Sequence, residues 1–215
     1  NLPMIVSSLS QSAPAACPRI ESTAISVGGS NLRDVWQGGQ VQAALATRSY
    51  DVVVLAESID LVFPQDTGYP ADFDTYARLL IAAARNAGTR PILYATPNID
   101  VADREAAFQG MATPQLALGR ELGVTVATGG LAWLRVWGEV PTVKLHDTDL
   151  SHPGYLGSTL SSLVIYAAIN DATPIGLTAM PDTDYCRPDC PLIEPTLAAV
   201  FQRHAWDEYL ANVRR

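Results

Sequence analysis

The sequence carries little charge and has no concentration of positive charge. Of its 215 residues, 17% are charged, and 14 Lys and Arg against 22 Asp and Glu give a net charge of −8. Beyond the terminal pair Arg214 and Arg215, the basic residues form no cluster. A surface of this sign repels phosphate backbones, so we expect no nucleic-acid partner.

Long hydrophobic runs are also missing. No apolar stretch approaches the roughly 20 residues that a membrane-spanning helix needs. The first segment, NLPMIVSSLSQSAP, lacks the charged start of a signal peptide. A hydrophobic content of 48%, with 15 Gly and 15 Pro, is typical of a folded globule. The length fits one α/β domain with a substantial core.

Cysteine is scarce, which limits the sulfur chemistry to three positions. Cys186 and Cys190 flank a short Pro-containing turn, where a disulfide would indicate a secreted or periplasmic protein. Two free thiols in a cytoplasmic protein are the alternative, and a zinc site would need two further ligands. Cys17 is left over, and we expect it to be a small buried residue.

Apolar stretches alternate with amphipathic patterns along the chain. The strand candidates are residues 24–27, 50–56, 91–96 and 123–127, and the helix candidates are residues 34–47, 72–87, 101–122, 157–169 and 195–213. This alternation predicts an α/β domain with a parallel sheet and helices on both faces. We expect one domain over residues 1–215, with a surface excursion at 173–195 before a final helix. The chain opens with a helical pattern, so the strand that normally begins such a domain is missing.

Two predicted strands are followed by loops that suit a binding site, because ligands of parallel sheets collect beyond the carboxyl ends of the strands. Gly28 and Gly29 follow the first strand, and paired glycines present the bare backbone N–H groups that an oxyanion hole requires. A tight turn with Ser30 or Asn31 capping the next helix is the alternative. Glu57, which follows the most apolar strand, lines a pocket or is a solvated turn carboxylate.

The segment LHDTDLSHPG, residues 145–154, holds two of the three histidines in the chain. An aspartate three residues before a histidine can hold Nδ1 of the ring and leave Nε2 free to take a proton. We therefore predict an acid–base pair of Asp149 and His152. A metal site that adds His146 and Asp147 and a purely structural loop are the alternatives. His204, in the last helix, is expected to be an ordinary partly buried residue.

The late Asp-x-x-His pair and the helical sequence after it resemble the SGNH, or GDSL-like, hydrolase family. This resemblance implies a flavodoxin-like three-layer α/β/α sandwich with a five-stranded parallel sheet. It also implies a catalytic His152 oriented by Asp149, and no cofactor. The likeness covers roughly residues 1–175, and the Asp-x-x-His-Pro block is its most specific part.

The resemblance also implies an oxyanion site, with one departure. Gly29 matches the oxyanion glycine of the family, with Asn31 close by in the same loop. Ser58 stands where the family carries an oxyanion asparagine, and its hydroxyl is shorter than an amide. In some family branches, the residue that corresponds to Glu57 contacts either the substrate or another residue that binds the substrate.

The nucleophile is the second departure. The family places its serine in a Gly-Asp-Ser or Gly-Asn-Ser turn directly after the first strand, shortly before a segment like the opening Asn1-Leu2-Pro3 of this chain. We therefore expect the nucleophile upstream of residue 1. Ser7 and Ser8 fall within a helical pattern and are poor substitutes.

Together these features predict a serine ester hydrolase acting on a carbohydrate ester or another small acyl ester. Trp133 and Trp137 would form a sugar-binding platform or, as is commoner for tryptophans in a helical pattern, part of the core. The alternatives are a non-catalytic glycan-binding or scaffold protein of the same fold and a polysaccharide O-acyltransferase.

Overall fold

The computed structural model describes residues 2–26, 29–57, 71–97, 99–178 and 193–213. Eight helices and three strands occur in these ranges. In chain order they are α1 (Leu2–Gln11), α2 (Leu32–Gly38), α3 (Gln40–Thr47), β1 (Val52–Ala56), α4 (Ala71–Asn86), β2 (Arg90–Ala95), α5 (Arg104–Leu122), β3 (Thr125–Thr128), α6 (Gly129–Glu139), α7 (Tyr155–Asn170) and α8 (Pro195–Val213).

The described strands form one parallel sheet in the order β1-β2-β3. Val52 lies opposite Arg90, and Ile92 lies opposite Thr125. These strands confirm three of the four predicted ones, whose continuous apolar runs suit strands covered on both faces. The described sheet therefore has three strands, whereas we expected five.

The predicted strand at residues 24–27 is wrong for the described residues 24–26, which belong to no strand. The chain leading to them is bound to α1 instead of to a sheet neighbour. The N–H of Ile20 donates to Ser10 Oγ (2.9 Å), and Ser22 Oγ donates to the carbonyl of Pro3 (2.8 Å). These residues thus hydrogen-bond to a helix. An apolar run alone does not show whether a segment bonds to a helix or to a neighbouring strand.

Helices cover both faces of the sheet, and alternate residues of each strand face opposite cores. Ile92 and Tyr94 join a core built with α1, α6, α7 and α8. Leu93 and Ala95 join a second core built mainly with α2, α4 and α5. In the described part of the chain, no helix is long and apolar enough to cross a membrane.

Two helical features differ from the predicted pattern. The single helix expected at 34–47 is divided into α2 and α3 by Gly39, whose φ of 69° is left-handed and ends α2. Helix α6, which carries the fully buried Trp133, lies outside the five predicted helix ranges. Its first residue, Gly129, lies so close to the Tyr94 ring that a Cβ there would clash at 2.7 Å.

The contact of Gly157 with the chain before the Asp149–His152 segment gives a stability prediction. A Cβ at Gly157 would lie 2.2 Å from the carbonyl oxygen of Leu145 and 2.3 Å from the Trp133 ring. We expect Gly157→Ala to lower the free energy of unfolding by about 1–3 kcal/mol or more, because overpacking must move backbone. Thermal and urea unfolding measure the change.

Gly138→Ala is the matched control, since a Cβ at this helical position has no atom within 4 Å. It should leave stability unchanged or raise it by up to about 1 kcal/mol through better helix propensity. Equal effects of the two substitutions would contradict the proposed packing.

Candidate functional site

The segment of residues 145–154 folds into a closed loop that joins α6 to α7. The N–H of Asp147 donates to the carbonyl of His152 (2.8 Å), and that of Gly154 donates to the carbonyl of Leu145 (2.9 Å). His146 and Pro153 form an isolated antiparallel bridge. These bonds fix the ends of the loop, so the residues between them have a defined orientation.

The loop is built around the carboxylate of Asp149. Its Oδ1 accepts the backbone N–H groups of Ser151 and His152, both at 2.9 Å. Its Oδ2 lies 2.6 Å from Nδ1 of the His152 ring. The backbone and ring hydrogen bonds of His152, together with the Ser151 N–H, hold the pKa of Asp149 far below its usual range. The carboxylate is therefore ionised at neutral pH and available to orient the imidazole.

The other ring nitrogen, Nε2 of His152, has no hydrogen-bond partner among the described residues. The side chain is 72% exposed, so a substrate or a nucleophile has access to it. This is the arrangement that a general base requires: one nitrogen is held by a carboxylate and the other is open.

Leu150 turns the backbone between the two members of the pair. Its φ of 56° is in the left-handed region, which a leucine rarely adopts, and its side chain is largely exposed. Its carbonyl accepts the N–H of Asp100 at 2.8 Å. The loop is thereby tied to the chain that follows β2.

The carboxyl ends of β1 and β2 are joined to the start of α2 through Glu57. Its side-chain Oε1 accepts the N–H of Leu32 (3.2 Å), and its backbone carbonyl accepts the hydroxyl of Thr96 (3.3 Å). Glu57 is 6% exposed, so the solvated turn carboxylate considered above is wrong. The side chain positions the loop before α2, and its contact with substrate stays a prediction.

The double-glycine loop has the features of a helix-start turn. Asn31 is the N-cap of α2: its side chain accepts the N–H of Asp34 (3.0 Å), and the Asp34 carboxylate accepts the N–H of Asn31 (3.2 Å). Gly29 has a φ of 72°, which favours glycine at this position. The capping alternative is thus confirmed for Asn31. An oxyanion role for Gly29 stays a prediction, while Gly28 and Ser58 lie outside the described residues.

Helix α1 runs antiparallel to the strands, which brings its first residues to the same edge of the sheet. Near its end, Ser12 Oγ accepts the N–H of Thr178 (2.9 Å), and Thr178 follows α7 in the chain. The last turn of α7 contacts Arg90, the first residue of β2. The ends of α1 and α7 therefore lie at the amino edge of the sheet. Their starts lie at the carboxyl edge, with the loop of His152.

The chain after α1 returns along that helix toward the same edge. The contacts of Ile20 with Ser10 and of Ser22 with Pro3 show this direction, and Gly29 follows a few residues later. Ser7, by contrast, lies within the helix and shares a hydrogen bond of 2.8 Å with Ser22. The start of α1 thus lies at the same edge of the sheet as the loop of His152.

The remaining histidines and tryptophans have packing roles. The His146 ring is stacked on Trp137 at 5.8 Å and meets the edge of Trp133 at 4.9 Å. Trp133 is fully buried, so the core alternative is confirmed for it and the sugar-platform alternative is wrong. His204 is partly buried, as expected, and lies 2.8 Å from Glu139.

Among the described residues, no group of three or more His, Cys, Asp or Glu is placed to hold a metal ion.

Sequence reasoning missed Asp100 and Arg104. Both lie between β2 and α5 at the carboxyl edge, and the Nε of Arg104 donates to Asp100 Oδ1 at 2.6 Å. The sequence did offer one signal, because an acidic and a basic residue four positions apart follow a predicted strand and can form an ion pair on a helix. No sequence pattern predicts that Asp100 lies next to Leu150, which is 50 residues away in the chain.

The left-handed backbone at Leu150 gives a prediction about the loop. Asn adopts this conformation readily and a β-branched residue does not. We expect Leu150→Asn to raise the free energy of unfolding by up to about 1 kcal/mol, and Leu150→Val to lower it by about 1 kcal/mol. Thermal unfolding of the two variants measures the difference, and a more stable Val variant would contradict the backbone geometry.

Comparison with known proteins places the fold. No family model and no curated protein sequence matches the chain. Among solved structures, it is similar to a candidate SGNH hydrolase from Slackia heliotrinireducens, with a TM-score of 0.54 and 22% identity over 66% of this chain and 81% of that one. It is also similar to a DUF4886 family protein from Bacteroides uniformis, with a TM-score of 0.59 and 13% identity over 79% of this chain and 66% of that one. The chain therefore has an α/β fold that resembles SGNH-hydrolase-like structures.

Proposed function

We propose that this protein is a serine ester hydrolase of the SGNH type. The observation that carries the proposal is the Asp149–His152 pair: a carboxylate held by two backbone N–H groups faces Nδ1, while Nε2 has no partner among the described residues. The pair lies at the carboxyl edge of a parallel sheet, where such folds bind ligands. The structural likeness to a candidate SGNH hydrolase supports the same assignment at the level of the fold.

The attacking serine is proposed to come from the chain before residue 1. Helix α1 begins at Leu2, at the edge of the sheet that carries the His152 loop. A serine turn just before this helix would lie at the same edge of the sheet as the loop of His152. The location of Ser7 inside the helix, bonded to Ser22, supports neither Ser7 nor a serine near it as the nucleophile.

The proposed reaction transfers an acyl group from an ester to water. The serine hydroxyl attacks the ester carbonyl while His152 takes its proton, and the histidine then gives that proton to the departing alcohol. Water, activated in the same way by His152, releases the acid and restores the serine. Asp149 keeps the ring oriented and stabilises the imidazolium. The N–H of Gly29, and Ser58 in the place of the family asparagine, are the proposed oxyanion donors.

The proposed substrates are carbohydrate esters or other small acyl esters, and the proposed location is outside the cytoplasm. A non-catalytic scaffold and a polysaccharide O-acyltransferase are the competing functions. The acyltransferase would use the same residues, but an alcohol acceptor would outcompete water for the acyl group.

Active-site labelling of the protein expressed from its complete gene tests the proposal. A fluorophosphonate should label one serine, and peptide mass spectrometry should place it before Asn1. His152→Ala should abolish the labelling and lower 4-nitrophenyl acetate hydrolysis by about 10⁴-fold or more, because the serine loses its base. Absence of labelling in the folded wild-type protein would favour the scaffold, and unchanged turnover in the variant would remove His152 as the base.

Asp149→Asn tests the orienting carboxylate. We expect kcat/KM to fall by about 10⁴-fold, because an amide favours the wrong tautomer of the ring. Since the pKa of Asp149 lies far below its usual range, the carboxylate stays ionised throughout assays above about pH 5. Its protonation therefore does not contribute to any loss of activity between pH 8 and about pH 5.

Asp147→Asn is the matched control, since the side chain of this exposed neighbour accepts, among the described residues, only the N–H of Thr148. It should retain hydrolysis within a few-fold. A similar loss in both variants, together with loss of activity in EDTA, would favour the metal alternative instead of the acid–base pair.

A further inference from the structure

Arg104 is held rigidly at the start of α5 by two different contacts. Its Nε donates to Asp100 Oδ1 at 2.6 Å, and its guanidinium lies 4.3 Å from the centre of the Trp137 ring. Trp137, the partner of Arg104 in this contact, is also held in place. It stacks on His146 and donates its indole N–H to the carbonyl of Val143 (3.0 Å). An arginine fixed in this way loses little side-chain entropy when it binds a ligand.

The remaining donors of this arginine are available. Neither Nη nitrogen of Arg104 has a hydrogen-bond partner among the described residues, and the side chain is 40% exposed. The hydrogen bond and charge of Arg104, with the charge of His146, hold the pKa of Asp100 below its usual value. The two side chains therefore stay ionised together, with Asp100 bonded to Nε and the Nη pair left for a second anion.

A shallow, open cavity adjoins these donors. It is lined by Asp100, Val101, Ala102 and Arg104. The backbone N–H of Asp100 is bonded to the carbonyl of Leu150, between Asp149 and His152. The cavity thus adjoins the loop that carries the proposed base.

From these contacts we propose that Arg104 binds a carboxylate carried by the substrate, so that the enzyme prefers esters with a second, free acid group. The proposal rests on the function proposed above for Asp149 and His152. A guanidinium with two parallel free N–H groups matches the two oxygens of a carboxylate. Arg104 and His146 both pack against the Trp137 ring, so this ring is already engaged by protein side chains.

The test compares charged and uncharged esters of the same acyl length. Substrates are the mono-4-nitrophenyl esters of succinic, glutaric and adipic acid, each paired with an ester in which an ethyl group replaces the carboxylate. We expect at least one acid monoester to show a kcat/KM about 10-fold or more above its uncharged partner. Arg104→Gln should reduce this ratio by about 10- to 100-fold, mainly through KM.

Two further variants separate recognition from structural damage. Arg203→Gln is the matched control, since Arg203 is paired with Glu139 on α6 and, among the described residues, neither lines the cavity nor hydrogen-bonds to the His152 loop. It should keep the wild-type ratio. Arg104→Lys keeps the charge and a donor to Asp100 but lacks the planar fork, so its ratio should fall between those of the wild type and Arg104→Gln. A ratio near one in the wild type, or a ratio unchanged in Arg104→Gln, overturns the proposal.

A direct measurement of dicarboxylate binding tests the Arg104 site independently of ester hydrolysis. Calorimetry with glutarate and succinate should show binding to the wild type and a loss of at least about 10-fold in affinity in Arg104→Gln. If neither type of ester is hydrolysed but the anions bind through Arg104, the hydrolase assignment fails and the carboxylate site stands. If both types are hydrolysed equally and the anions do not bind, the carboxylate site fails alone.

Discussion

The candidate site depends on one carboxylate, that of Asp149. It accepts two backbone N–H groups with one oxygen and meets Nδ1 of His152 with the other, so the same group folds the loop and orients the ring. The left-handed backbone at Leu150 makes this possible, because it lets residue 149 fold back onto residue 152. Hydrogen bonds at both ends of the loop then keep the exposed imidazole in place.

The direction of the elements gives this loop its neighbours. Strands β1 and β2 end at the edge where α1, α2 and α7 begin, because the helices of a parallel sheet return antiparallel to the strands. Glu57 joins the ends of β1 and β2 to α2, and the N–H of Asp100 joins the chain after β2 to Leu150. The base, the candidate oxyanion loop and the candidate anion-binding arginine are therefore each tied by hydrogen bonds to the chain at the carboxyl ends of β1 and β2.

The sequence predicted the elements whose signals are local. The apolar runs of the three described strands and the Asp-x-x-His spacing need no distant contact to be recognised. The split of α2 from α3 depends on a left-handed Gly39. The described residues 24–26 form no strand, and the residues before them are hydrogen-bonded to α1. Arg104 was missed for a similar reason. Its candidate role depends on its contact with Trp137 and on the hydrogen bond between Asp100 and Leu150, and both join parts of the chain that are distant in sequence.

The most direct measurement is a crystal structure of the product of the complete gene after reaction with a phosphonate ester. We expect phosphorus on a serine that precedes Leu2, with the Oγ of that serine within roughly 2.6–3.2 Å of His152 Nε2. We also expect Asp149 to remain bonded to Nδ1. A modified serine elsewhere in the chain, or an imidazole that lies beyond reach of the phosphonate, would contradict the proposed mechanism.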